Sequence, residues 1–131
     1  MTLQILQSKV VKIDFEHQQS KDDDSKQSFG IDYKIIYDKK LDDVFAISFN
    51  VSLKHPTEFN LTVDYITWFK TSNPVTEEFK NSFIPKENAP AIAFPFLRSF
   101  IATLTLNSGY KPAILPSINF IELRKQQQLL K

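Results

Sequence analysis

Two histidines, His17 and His55, and the acidic run Asp22-Asp23-Asp24 are the side chains of this 131-residue chain best suited to acid–base or metal chemistry. An imidazole becomes a general base or a metal ligand when a second ligand stands at the right spacing. Neither histidine has one nearby, and both are read as surface residues of loops. The aspartate run lacks the glycine turn and distal glutamate of an EF-hand loop, so it is read as solvated. Cysteine is absent, which excludes disulfides, thiolate nucleophiles and thiolate zinc sites together. No nucleophile, base and oxyanion donor converge in the sequence. The chemistry that remains is that of apolar surface.

That surface is concentrated in residues 89–123, APAIAFPFLRSFIATLTLNSGYKPAILPSINFIEL. The stretch reads as a proline-interrupted apolar helix, a glycine stop, a proline-rich crossover and a capped second helix. It carries more apolar area than the single face of one small sheet requires. The surplus points to a surface for other chains, partner subunits or unfolded polypeptides. Composition agrees, with 12 Phe, 4 Tyr and one Trp against only 2 Gly, since aromatics serve cores and interfaces alike. Arg98 is the single charge inside the apolar helix, and its guanidinium suits pairing with a carboxylate or capping an interface.

Net charge is +1, from 16 basic and 15 acidic residues. No global field therefore attracts nucleic acid or an anionic membrane. The first residues alternate polar and apolar and lack the apolar segment of a signal peptide. The longest apolar run, residues 89–97, contains two prolines and ends at Arg98, short of the roughly 20 residues that cross a bilayer. No membrane insertion and a cytoplasmic location are expected.

The elements that position these residues follow from periodicity. Phe29, Ile31, Tyr33, Ile35 and Tyr37 alternate with polar neighbours, as do Phe45 to Leu53 and Phe59 to Phe69; each is a half-buried strand. Short loops join them, so a meander of hairpins is the natural topology. Residues 3–16 form a further strand, with Leu3, Ile5, Val11, Ile13 and Phe15 on one parity. Leu6 and Val10 intrude on the other, which a bulge near Ser8 would explain. Residues 17–28 make a long polar loop, and Pro56 sits in a turn. Ile66 and Trp68 lie on the otherwise polar parity, as interface or as end-of-strand core. Thr76 caps a short helix ending before Pro85. The main helix lies within residues 88–107, where Pro95 either starts it or kinks it, and Gly109 stops it. Asn119 with Glu122 resembles a capping box, and Ile118 with Leu123 a hydrophobic staple. Phe120, Leu123 and Leu130 share one stripe of the last helix. The class is α+β, in one domain over residues 1–131.

Ala93-Phe94-Pro95-Phe96-Leu97-Arg98, Gly109-Tyr110, Pro112, Leu115-Pro116 and Asn119-Phe120 together resemble the SecB family of export chaperones. Leu3-Gln4-Ile5 and Asp14-Phe15-Glu16 are similar to that family's first strand, so the resemblance spans nearly the whole chain. It implies a four-stranded antiparallel sheet with a long helix and a C-terminal helix packed on one face. It also implies a homotetramer, a dimer of dimers, with the long helices between two eight-stranded sheets; Phe94, Leu97, Phe100, Ile101 and Leu104 would then lie at the subunit interface. The implied activity is that of a holdase, which uses no cofactor, no ATP and no covalent step. Matching the crossover and last helix assigns Tyr110, Ile114, Leu115, Ile118 and Phe120 to a client-binding groove, with Phe29 and Tyr33 as further candidates.

Export-pathway members of the family are acidic and end in a tail that engages the SecA motor. Here the tail, residues 124–131, is basic and polar. Of two acidic first-strand positions only Glu16 matches, with Lys12 at the other, and Asn60 and Thr62 stand at the fourth-strand contacts. Weak or no docking to SecA is expected, with Glu16 the one candidate contact. SecB-like chaperones also guard toxin–antitoxin modules, and an antitoxin client is the alternative partner. Two readings from other classes compete: a small enzyme with its pocket between sheet and helices, and a nucleic-acid-binding sheet. The first lacks a catalytic constellation, and the second lacks positive charge and glycine–aromatic motifs.

Overall fold

The computed structural model describes residues 2–18, 27–55 and 58–129, with side chains to residue 127 in the last helix. Asp22-Asp23-Asp24, Pro56 and Leu130 lie outside the described residues. Contacts divide the chain into two compact units, Met1–Ser72 and Asn73–Lys131.

The first unit is a four-stranded antiparallel sheet of β1 (Leu3–His17), β2 (Ser28–Tyr37), β3 (Val44–Lys54) and β4 (Phe59–Thr71). Alternation builds it. Phe45, Ile47, Phe49, Val51 and Leu53 of β3 and Phe59, Leu61 and Val63 of β4 are buried, while Asn50, Ser52 and Lys54 between them are exposed. Side chains on successive residues point to opposite faces, so the parity of Phe45 fills the core; at the start of β3, Val44 and Ala46 on the other parity are buried as well. Aromatic pairs lock the register across strands, with Phe45 stacked on Phe69 at 5.3 Å and Tyr33 tilted on Phe49 at 6.3 Å.

The strand order is β1-β4-β3-β2. The expected meander holds for β2, β3 and β4, whereas β1 pairs with β4 and closes a Greek key. A short loop obliges neighbours to pair; the connection from β1 to β2, residues 18–27, imposes no such constraint. β1 also carries two irregularities rather than one, between Ile5 and Gln7 and between Val10 and Lys12. They flank Ser8, and each shifts the parity by one residue. Val10, opposite Tyr65, thus joins the face of Ile5 and Ile13, and Val11 is expelled to 59% exposure. His17 ends β1, opposite Phe59, and does not sit in a loop.

In the β2–β3 loop the Asp38 carboxylate accepts from the N–H groups of Lys40 at 2.7 Å and Leu41 at 3.0 Å. Those two bonds favour the charged form and hold the Asp38 pKa below the ordinary 3.8. At the far end, His55 stacks on Phe59 at 5.2 Å, with its Nε2 3.7 Å from the Glu58 carboxylate.

The second unit begins with α1 (Glu77–Lys80), where the Thr76 hydroxyl accepts from Phe79 N–H at 3.1 Å. A wide π turn, Ile84–Asn88, follows and runs directly into α2 (Ala89–Asn107). Proline explains the widening: Pro90 has no N–H for a carbonyl four residues back, and Ala89 N–H instead reaches Ile84 C=O, five residues back. Pro95 lies inside α2, neither starting it nor ending it, and deprives Ala91 C=O of its helical donor. The helical span of 24 residues, 84–107, contains an 18-residue window of mean hydropathy 1.4, which by length and composition alone is enough to cross a membrane. The nine-residue apolar run did not disclose that length. Its buried residues Ala93, Phe94, Leu97, Ile101 and Thr105 form one stripe, as on a helix that packs against protein.

Gly109, at φ 99°, ends α2. Its N–H bonds Leu106 C=O at 3.1 Å and Tyr110 N–H bonds Thr105 C=O at 3.0 Å, the paired bonds of a Schellman motif. Asn119 caps α3 (Phe120–Leu129), its side-chain oxygen accepting from Ile121 N–H at 3.1 Å and Glu122 N–H at 3.2 Å.

Candidate polypeptide-binding surface

Residues 111–119 cross from α2 to α3 without regular structure, yet side chains of α2 fasten them at two points. Thr105, with no exposed surface, accepts from Ala113 N–H at 2.8 Å through its Oγ1. The same hydroxyl donates to Ile101 C=O at 2.9 Å, the back-bond open to a helical threonine. Two turns earlier, Arg98 Nε donates to Leu115 C=O at 2.7 Å. Among the described residues Arg98 pairs with no carboxylate; through this bond it holds a backbone carbonyl. Such a charge-assisted bond is among the stronger ones a side chain makes.

The clasp fixes which side chains turn inward. Ala113 and Leu115 are buried, Leu115 completely, whereas Pro112, Ile114 and Pro116 are exposed and Ile114 reaches 59%. Alternation over five residues marks an extended chain. Phe120 seats the far end, edge-on to Phe94 at 5.6 Å. An ion pair, Arg124 Nη1 to Glu87 Oε1 at 2.7 Å, ties α3 to the π turn, with both side chains largely covered.

The residues assigned to the groove are thus of two kinds. Ile114 is open and Tyr110 and Ile118 are half-buried, so these three have surface to offer. Leu115 and Phe120, at 0% and 5% exposure, have almost none and act as anchors beneath the crossover. In the first unit Phe29 is half-buried and Tyr33 buried, both on the core parity of β2. The residues assigned to a subunit interface divide the same way. Phe94, Leu97 and Ile101 are covered within the chain and leave no contact area, while Phe100 and Leu104 are half-buried. Helical spacing finds the apolar stripe but cannot say which arc of it faces its own chain. The open apolar side chains of α2 are Ile92, Phe96 and Leu106.

On the sheet's other parity, Glu16 is exposed opposite Asn60, with Asp14 opposite Thr62 and Lys12 opposite Asp64. Asp64 Oδ1 accepts from Asn50 Nδ2 at 2.6 Å. Beside them a depression of about 460 Å³ is lined by Val11, Ile36, Ile66, Asp32, Lys34 and Asp64 among others. Ile66 and Trp68 are both half-buried on this parity. Among the described residues no three His, Asp or Glu side chains are grouped to hold a metal ion.

Thr105 escaped the sequence reading, although a signal existed. It sits four residues after Ile101 on the apolar stripe, where a hydroxyl must find a partner.

A model of the SecB family, described as preprotein translocase subunit SecB, matches residues 8–130. The protein-export protein SecB of Magnetococcus marinus is 31% identical over 116 residues, 83% of this chain and 71% of that protein. That of Roseobacter denitrificans is 34% identical over 86 residues, 63% of this chain and 51% of that protein. The chain thus spans about half the length of the Roseobacter relative. In fold it is similar to a SecB-like chaperone of Mycobacterium tuberculosis, solved with a ChAD peptide from the HigA1 antitoxin. That likeness has a TM-score of 0.69 at 12% identity, over 88% of this chain and 89% of the other. SecB proteins are chaperones, not a family of enzymes. With a family match that takes in the sheet, the long helix, the clasped crossover and α3, the chain belongs to the SecB family.

Proposed function

We propose that this protein is an ATP-independent holdase that keeps unfolded polypeptides from aggregating, working in the cytoplasm as a homotetramer. Both units, over residues 1–131, act as one SecB-like domain. The observation that carries the reading is the crossover: a segment fastened at Thr105 and Arg98 that nevertheless leaves Ile114 open to solvent. Ile114, Tyr110 and Ile118 supply the gripping surface, with Leu115 and Phe120 as its foundation; in the first unit, half-buried Phe29 is a separate apolar contact for the client, with buried Tyr33 as its support. Burying one large apolar client side chain yields about 1.5–3 kcal/mol, too little alone to offset the ordering of a chain. Several copies of the crossover acting on one flexible client convert such contacts into avidity. Apolar burial is non-directional, so many sequences are accepted. Ile92, Phe96 and Leu106, with half-buried Phe100 and Leu104, supply apolar area for subunit association.

Suppression of aggregation of a denatured model substrate, without nucleotide, tests this. Stoichiometric suppression by the wild-type chain is expected, and a chain that leaves light scattering unchanged contradicts it.

Client delivery has two readings. Export of precursors is supported by the relatives, which are protein-export proteins. An antitoxin client is supported by the structural neighbour, which holds an antitoxin peptide. Lys12, Asn60 and Thr62 favour the second, because they leave three of the positions expected to contact the export motor SecA without a carboxylate. Micromolar or tighter association with SecA would reverse that preference.

A further inference from the structure

The clasp has a consequence for what is held and how, which rests on the holdase reading. In an extended chain the N–H and C=O of one residue point to one edge, and those of its neighbours to the other. Ala113 N–H and Leu115 C=O both turn to α2, taken by Thr105 and Arg98. The N–H and C=O of Ile114 therefore point the opposite way, and among the described residues neither has a partner. Pro112 and Pro116 share the outward parity of Ile114 and have no N–H to give. One donor and its companion acceptor, beside one exposed branched apolar side chain, make up this edge.

We propose that the crossover captures its client as an extended segment through a one-residue β-bridge at Ile114, and that Pro112 and Pro116 keep the bridge from growing into a ladder. The occupant is an extended, apolar stretch of unfolded polypeptide, and the argument for it is hydrogen-bond complementarity. A free N–H and C=O held in β geometry match a strand backbone, and Ile114 matches an apolar side chain on that strand. A helix consumes its own backbone groups and cannot answer this edge. Proline on exposed edges is a common device against open-ended strand addition. Here it makes the grip sequence-tolerant, through backbone groups every client has, and easily released.

The test uses the full-length protein and a soluble twelve-residue peptide with leucine at alternate central positions, together with its counterpart N-methylated at every central amide. Amide hydrogen exchange at Ile114 is followed by NMR. With saturating unmodified peptide, Ile114 exchange is expected to slow about tenfold or more, and the N-methylated peptide to bind about tenfold more weakly. Pro116→Ala restores an outward donor and is expected to tighten peptide binding several-fold. Binding of the unmodified peptide with Ile114 exchange unchanged overturns the bridge and leaves the holdase reading intact. Ile114 protection that rises with protein concentration in the absence of peptide places a second copy of the chain on this edge and overturns it also. Failure of both peptides to bind overturns the bridge and the holdase reading together. Unchanged affinity in Pro116→Ala overturns the role given to the prolines.

Discussion

Replacing Thr105 by valine keeps the volume and the β-branch of the side chain and removes one oxygen. In the folded protein that oxygen is buried, accepts from Ala113 N–H at 2.8 Å and donates to Ile101 C=O at 2.9 Å. Ile101 C=O keeps its place in the helical ladder, so its loss is small. Ala113 N–H is different: it lies in a buried bond, and valine offers it no acceptor. Leaving such a donor unpaired costs about 1–3 kcal/mol. For a chain of this size that is a fall in thermal midpoint of roughly 4–12 °C. Thr105→Ser keeps both bonds and deletes one methyl, at about 1 kcal/mol, so midpoints alone separate the variants poorly. Amide exchange at Ala113 separates them cleanly. Serine is expected to preserve its protection, and valine to abolish it at equal protein concentration, since assembly shifts apparent stability. If Ala113 exchanges as slowly in Thr105→Val as in wild type, the crossover is held by something other than this hydroxyl and the clasp is wrong.

Arg98→Met keeps the aliphatic stem and removes the Nε donor to Leu115 C=O. It is expected to lower stability by about 1–2 kcal/mol in denaturant titrations, and no loss would show the bond idle. Gly109→Ala meets no neighbour within 4 Å but must adopt φ 99°; about 1 kcal/mol of destabilisation follows from backbone strain alone. Asp38 has a folded-state pKa lowered below 3.8, so its contribution is complete above that pH and fades as pH falls through the lower folded midpoint. An NMR titration should place that midpoint under 3.8, and one at or above this value contradicts the loop geometry. Phe49→Ala, at a position with no exposed surface between Tyr33 and Tyr65, is expected to cost about 3–5 kcal/mol in urea unfolding.

Alternation disclosed the four strands because one face of each is buried and the side-chain period is two. Pairing is another matter. Parity says which residues turn inward and nothing about which strand lies next door, so the adjacency of β1 and β4 came only with the register. In β1 the parity itself breaks twice within six residues, and a reading that allows one break places Val11 where Val10 belongs. Caps were legible at Thr76, Gly109 and Asn119, where local chemistry decides. Pro95 was not, because a proline marks either a helix start or an interior irregularity, and the preceding π turn decides between them. The crossover was legible as apolar but not as clasped. Which of Ile114 and Leu115 faces outward depends on hydrogen bonds from Arg98 and Thr105, residues up to seventeen positions away in the chain.

The proposed grip depends on Ile114 as open apolar surface in a crossover that is otherwise tied down. Ile114→Ser changes an exposed side chain, so folding stability and oligomeric mass should stay within about 0.5 kcal/mol and unchanged, respectively. The affinity for an unfolded client, measured by fluorescence anisotropy with no nucleotide present, is expected to fall about tenfold. A variant that binds and protects the client as tightly as the wild type would contradict the account.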